Sequence, residues 1–395
     1  MNTATEKTDL VLVHYGEVAL KKGNRARFEE RLVGNLCSAL RMYDGVRVQN
    51  HYGRIFIYFS QEVDLAPLRG VLGKIFGATS FSPTIHIPRD LDAMMASAVE
   101  HLQKQKFNTF VVRARRVDKD FPLKSPEINR EVGAAVLQNI DCKVDLFTPD
   151  ITLYFEVMHD RVLMYTEKIP GLRGLPVGVS GRVLSLVSGG IDSPVATLRM
   201  LQRGCTVALV HFHSAPYTDK ASQEKVEEFA EMLTSYQRPV HCHYVALAPI
   251  QNAVVEHAQS IYRVLLYRRY MMRIAGRIAE KENASALVTG EALGQVASQT
   301  LPNMEVVAGA TSMQILRPLL CFDKEEIIRE ARKYNTFELS IDEGQDCCSF
   351  MSTRKPALKA RPRDLLGQEK ILKEKTDINA LFENAVEEAV FKIYK

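Results

Sequence analysis

The segment LSLVSGGIDSPVAT, residues 184–197, holds the side chains and backbone best suited to chemistry. An apolar run stops at Ser188, Gly189 and Gly190, and good helix formers resume after Pro194. Two glycines let a chain turn tightly and aim successive amides at one point. Pro194 suits a first helical turn, where its missing N–H is not needed. The positive end of the helix then favours an anion. Ser188 and Ser193 add hydroxyl donors, and Asp192 could hold a magnesium ion that neutralises phosphates. The loop lacks the lysine and the spacing of the common nucleotide loop, G-x-x-x-x-G-K-[ST]. It must grip phosphate by another plan.

Such a loop needs a strand before it and a helix behind it, and the flanking pattern predicts both. A strand over 183–187 leads to a helix over 194–203, then a strand over 206–212 and a helix over 220–236. A strand over 240–246, a helix over 252–281 and a strand over 285–289 follow. This alternation argues for an α/β fold, a parallel sheet covered on both faces, with ligands beyond the carboxyl ends of its strands. Upstream, Pro170, Gly171, Gly174, Pro176, Gly178 and Gly181 break residues 168–182 into a linker without regular structure. Before it, LVLVHY (10–15) and RIFIYFS (54–60) read as strands around a helix over 25–43. TFVVRARR (109–116) and residues 150–167 read as strands around a helix over 125–140. The expected division is 1–60, 61–167, the linker 168–182, and 183–395.

A chain of 395 residues exceeds one ordinary core. Hydrophobic residues at 46% and charged residues at 25% fit a soluble globular enzyme. No apolar run approaches the ~18 residues that cross a bilayer, and MNTATEKTDL carries no export signal. Seven scattered cysteines make no disulfide framework, and no C-x-x-C pair points to a metal centre. A reducing cytoplasm fits best. The net charge of +4 is too small to announce a polyanion binder. Local clusters remain: Lys21, Lys22 and Arg25 in KKGNRAR, and Arg113, Arg115, Arg116 and Lys119, are candidate RNA phosphate contacts. The arginines of YRVLLYRRYMMRIAGR, Arg268 among them, read on their own as a solvated helix face.

S-G-G-x-D-S resembles the signature of the PP-loop ATP pyrophosphatases, which cleave ATP between the α and β phosphates and leave AMP on a substrate oxygen. Several stretches resemble one branch, the tRNA 4-thiouridine synthetases (tRNA sulfurtransferase, ThiI). They are YGEVALKKGNRARFEERL (15–32), VRARRVDKDFPLKSPEINREVG (112–133), HFHSAPYT (211–218) and TGEALGQVASQTLPNM (289–304). The resemblance implies a ferredoxin-like domain, a THUMP RNA-binding domain and a doubly wound PP-loop domain. It implies ATP contacts at Leu186, Val187, His211, Phe212, Arg268, Gly290 and Gln299, beside the loop residues Ser188, Gly189, Gly190, Asp192 and Ser193. The activity implied is adenylation of uridine O4 at the eighth position of tRNA, with MgATP, followed by displacement of AMP by persulfide sulfur.

In EGQDCCSFMSTRKP (343–356), Cys348 takes the family's sulfur-carrying place and Cys347 is its close rival. The resemblance names a pyridoxal-phosphate cysteine desulfurase as donor. Asp192, Cys348 and Cys347 are the catalytic candidates. Some members carry a further rhodanese domain, whereas this sequence ends at Lys395 after a helical DINALFENAVEEAVFKIYK. The expected relay loads Cys348 directly, with Cys347, Cys321 or Cys205 as resolving thiol, and a thiamine role is not expected. A homodimer is compatible with the sequence. Two rivals stand: another adenylating PP-loop tRNA-modifying enzyme, and a non-catalytic tRNA-binding protein.

Overall fold

The computed structural model describes residues 7–341, apart from Tyr52 and Asp219, and residues 355–395. Cys347 and Cys348 lie outside the described residues, as does the side chain of Lys22. The chain forms two units, Met1–Gly174 and Leu175–Lys395.

The first unit holds two sheets. In one the strand order is Ile169–Pro170, Ser80–Pro83, Lys7–His14, Arg54–Asp64 and Arg47–His51, all antiparallel. The β-branched, alternating KTDLVLVH explains the central strand. Val11 and Val13 face a core with Leu32 and Leu36 of the Arg25–Ala39 helix and Leu68 of the Leu65–Leu72 helix. Leu10 and Leu12 face the other way, against Phe56, Met158 and Leu163. Each such fully buried side chain contributes about 1.5–3 kcal/mol. A division at residue 60 is not what forms. Residue 60 lies inside the Arg54–Asp64 strand, and the same sheet runs on through Ser80–Pro83. Nor is 168–182 wholly irregular, because Ile169 pairs with Phe81 and both are buried in the same core.

The second sheet runs Ile85–Ile87, Val162–Tyr165, Ile151–Val157, Thr109–Arg116 and Lys143–Val144, with the Leu91–Gln103 and Ser125–Asn139 helices against it. Residues 150–167, expected as one strand, fold back on themselves as two. The two sheets share a buried polar link: the Glu156 carboxylate accepts from His14 Nε2 at 3.0 Å and from Arg54 Nε at 2.9 Å. Burial alone would raise this carboxyl, but His14 and Arg54 prevail and hold it at about 2.

The second unit carries the expected sheet, in the order Gln314–Leu316, Ala286–Val288, Arg182–Leu186, Thr206–His213, Val240–Ala246 and Val390–Tyr394. The first five strands are parallel and the last is antiparallel. The order reverses at Arg182–Leu186: later strands build outward on one side through Val240–Ala246, then on the other from Ala286–Val288. That switch point opens a crevice beyond the carboxyl ends of the two neighbouring strands.

Two expectations fail here. Residues 252–281 are not one helix but Ala248–His257, a short 3-10 turn Ser260–Tyr262, and Arg263–Lys281. The break is held by distant partners, since Gln368 Oε1 accepts the Gln259 amide at 2.8 Å and Ile261 O accepts the Ala357 amide at 3.0 Å. The C-terminal stretch is helical only over Ile378–Glu387. The alternating VFKIY that follows joins the sheet edge against Val240–Ala246.

Candidate active site

The loop after Arg182–Leu186 enters the Asp192–Gln202 helix, which starts two residues earlier than its pattern suggested and keeps Pro194 in its first turn. Neither Gly189 nor Gly190 adopts a left-handed backbone. The demand on Gly189 is for space, because a methyl there would meet the Lys225 side chain at 3.2 Å. The loop is braced from within. Ser193 Oγ accepts the Ser188 amide at 2.9 Å, and Ser188 Oγ accepts the Gly190 amide at 3.3 Å. Behind it, the buried Ser185 and Thr197 hydroxyls meet at 2.7 Å and tie strand to helix.

Opposite the loop lies residue 290. A Cβ on Gly290 would stand 2.7 Å from Ser193 N and 2.8 Å from the Asp192 carbonyl carbon, so only glycine fits where the two strand-end loops touch. Between them opens a cleft of about 290 Å³. Of the expected nucleotide contacts, Leu186, Val187, Ser188, Asp192, Ser193, Phe212, Arg268, Gly290 and Gln299 line it. Gly189, Gly190 and His211 do not. His211 is buried and donates through Nδ1 to Val187 O at 2.9 Å, so it fixes the strand end from behind.

The far wall carries charge. Glu291, 3% exposed, accepts from Arg268 Nη2, from Arg317 Nε at 2.6 Å and from Thr289 Oγ1 at 2.9 Å. Burial pushes its carboxyl up, yet Arg268 and Arg317 outweigh that and hold it below the usual carboxylate range. Two guanidiniums on one carboxylate leave net positive charge beside the cleft. Arg268 also donates to Ser298 Oγ at 2.9 Å. The Gln299 Oε1, on the same wall, is buried with no hydrogen-bond partner among the described residues.

At the cleft mouth Asp192 is gripped on both oxygens, by Lys324 Nζ at 2.7 Å and Gln295 Nε2 at 2.9 Å. The lysine that the loop itself lacks thus arrives from the Lys324–Lys333 helix.

Sequence reasoning missed Lys324, Gln295, Ser298, Arg317 and Glu291. Glu291, Gln295 and Ser298 sit in the TGEALGQVASQ string and could have been found there. Lys324 and Arg317 stand in sequence with no local signal. The solvated-face reading of the Arg263–Lys281 helix fits Arg277, which is exposed, but not its neighbours: Arg269 is buried and bound with Arg273 to Glu369, while Arg268 turns to the cleft.

Asn303 is wholly buried. Its Nδ2 donates to Ala297 O and Ala357 O, each at 2.7 Å, and its Oδ1 accepts the Ala360 amide at 3.0 Å. Thr300 Oγ1 adds a bond to Leu358 O at 2.7 Å. The turn bearing Ser298 and Gln299 is so pinned to residues 357–360.

Among the other candidates, Arg113 and Arg115 project exposed from the Thr109–Arg116 strand, and Lys119 is exposed. Arg116 donates to Lys119 O and Phe121 O and holds a loop. Arg25 is drawn into an internal network with Tyr15 and Glu29, and Lys21 pairs with Glu17 at 3.5 Å. Of the resolving thiols, Cys321 is exposed while Cys205 is buried, and burial pushes its thiol up. Among the described residues no three His, Cys, Asp or Glu gather as a metal centre, and no helix is long and apolar enough to cross a membrane.

Comparison with known proteins agrees with this architecture. Residues 178–374 match the family model for thiamine biosynthesis protein (ThiI), residues 10–82 the ThiI ferredoxin-like domain and residues 88–167 the THUMP domain. A probable tRNA sulfurtransferase of Brevibacillus brevis is 42% identical over 96% of this chain and 94% of its own. One from Caldanaerobacter subterraneus is 39% identical over 97% and 99%. The crystal structure of a 4-thiouridine synthetase–RNA complex with bound ATP superposes with a TM-score of 0.87 at 35% identity, covering 98% of this chain and 99% of that one. Relatives this similar, spanning nearly the whole of both chains, establish that the chain belongs to the ThiI family of tRNA sulfurtransferases.

Proposed function

We propose that the chain converts the uridine at the eighth position of tRNA to 4-thiouridine, and that the switch-point cleft is where ATP activates the base. Uridine O4 attacks the α phosphorus, the bond to the β-phosphate oxygen breaks, and pyrophosphate leaves. The amide-rich turn at Ser188–Ser193 and the positive end of the Asp192–Gln202 helix receive that pyrophosphate. Arg268, steadied by Glu291, meets phosphate charge. Phe212 packs on the adenine, and the orphan Gln299 Oε1 accepts from it. AMP on O4 makes a good leaving group of a bad one. The terminal sulfur of a persulfide on Cys348, or on its neighbour Cys347, attacks C4 and expels AMP. A second thiol, Cys321 being the exposed choice, then attacks the carrier sulfur and releases thiouridine, and the resulting disulfide needs a thiol reductant.

Asp192 fits a magnesium ion that takes most of its ligands from phosphates, because such sites use one or two carboxylates; Lys324 would have to yield one oxygen. The ion supplies charge neutralisation on the phosphates. A pyridoxal-phosphate cysteine desulfurase is the sulfur donor, the cytoplasm the setting, and a homodimer the assembly. Arg113, Arg115, Arg116, Lys119, Lys21, Lys22 and Arg25 are the RNA-facing set, and among those whose side chains are described Arg113, Arg115 and Lys119 are exposed.

The carrying observation is that S-G-G-I-D-S-P stands at the sheet's switch point, in close contact with Gly290 and beside a cleft walled by arginine. Incubating the protein with unmodified tRNA, MgATP, cysteine, a pyridoxal-phosphate cysteine desulfurase and a thiol reductant should yield 4-thiouridine, read by its near-ultraviolet absorbance, with one AMP per base. ADP as product, or no thiouridine, would refute it.

A further inference from the structure

The Lys143–Val144 strand of the first unit ends in a short loop whose tip is apolar. Phe147 is 91% exposed, Leu146 61% and Val144 49%. Single exposed apolar residues need no explanation. Here three fall within four positions, on a loop held rigid by polar bonds rather than by burial. The Asp145 carboxylate accepts from the Phe147 amide at 2.8 Å, the Thr148 amide at 3.0 Å and the Thr148 hydroxyl at 3.0 Å. The Asp145 amide donates to Phe110 O at 3.1 Å. Asp150 Oδ2 takes the Asn108 and Thr109 amides, each at 2.9 Å, and closes the far side. The backbone that carries Phe147 is therefore already fixed, so little ordering of the loop remains to be done on binding.

What surrounds the ring decides what it meets. Arg113 Nη2 donates to Leu146 O at 3.3 Å, which puts a guanidinium against the loop itself. Arg115 projects from the same face of the Thr109–Arg116 strand two residues on. Lys143 is exposed and pairs in register with Thr109. Asp141 is exposed beside Lys143, while Asp145 and Asp150, still charged, spend their oxygens on backbone amides of the loop. Cations beside an exposed aromatic suit a polyanion with accessible planar bases, not an apolar protein face: the ring stacks on a base and the arginines meet phosphates.

We propose that Phe147, with the Arg113 guanidinium against its loop, is a stacking platform for an unpaired nucleotide of the RNA substrate. The inference rests on the tRNA reading given above and adds a contact to it.

Binding of the full chain to an unmodified tRNA, and to a fully paired RNA duplex of similar length, tests it across a salt series. Phe147→Ala should weaken tRNA binding about tenfold, the order expected for one base–aromatic stack. Its salt slope and its duplex affinity should match the parent's, and Phe147→Trp should restore binding. Arg113→Ala should instead flatten the salt slope. The ring is exposed, so the urea midpoint of Phe147→Ala should equal the parent's and remove misfolding as an explanation. Equal tRNA affinity of Phe147→Ala and parent would overturn the proposal. So would unchanged RNA affinity with impaired sulfur delivery from a desulfurase, which would make the loop a protein-docking site. A parent protein that binds no tRNA would instead sink the functional reading, and this inference with it.

Discussion

Changing Glu291 to glutamine removes one negative charge from between two arginines and leaves the side chain's shape intact. In the parent, that carboxylate takes Arg268, Arg317 and the Thr289 hydroxyl at 3% exposure. A glutamine can accept on one oxygen only, and its amide group must face a guanidinium as donor against donor. Hydrogen bonds to charged groups are worth about 1.5–3 kcal/mol each, and breaking a buried ion pair costs about 3–5 kcal/mol. Arg268 and Arg317 are 12% and 17% exposed, so water recovers part of that loss. A destabilisation of about 2–3 kcal/mol remains. Arg268 also loses the anchor that sets its plane at the cleft. If one phosphate contact goes with it, ATP affinity should fall by about tenfold for each 1.4 kcal/mol. Urea unfolding gives the first quantity. The KM for ATP in tRNA-dependent AMP formation gives the second, with tRNA affinity as the internal control. A Glu291→Gln variant with the parent's urea midpoint and the parent's KM would refute the reasoning.

Gly290→Ala should abolish AMP formation and lower stability by about 1–3 kcal/mol, since its methyl would stand 2.7 Å from Ser193 N; full activity would mean that the loops part easily. Cys348→Ser should leave AMP formation intact and stop thiolation, whereas Cys205→Ser should change neither, because that thiol is buried. Mass analysis of the tRNA reads both. The Glu156 carboxyl sits at about 2 in the fold against an ordinary 4.5. A depressed folded value means stability present above pH 4.5 and lost as pH falls towards 2, about 3 kcal/mol in all at about 1.4 kcal/mol per unit. Glu156→Gln should flatten that acid dependence in urea titrations between pH 5 and 3.

The legible parts of this chain were those whose physics is local. A strand, a tight turn and a proline-started helix are adjacent in sequence, so the 184–197 loop could be read directly. Gly290 and Gln299 came through resemblance, and the structure supplies the reason for glycine at 290. What stayed hidden was set by distant partners. No glycine or proline marks the break at residues 258–262, because Gln368 and Ala357 make it possible. Arg269 looks like any surface arginine until Glu369 is folded against it. Lys324 reaches Asp192 across 132 residues, and no spacing rule spans that distance. The short pairing of Ile169 with Phe81 was lost among glycines and prolines, since two residues of strand leave no periodicity to detect.

The side chain of Asn303 works as a rivet through two plates. One plate is the turn that carries Ser298 and Gln299; the other is the stretch 357–360, which follows Cys347 and Cys348 in sequence. With both amide protons and the oxygen committed, neither plate can slide without shearing the other. Should ATP seat against Gln299 as proposed, any shift of that turn would load the backbone at 357–360 through the one amide side chain of Asn303.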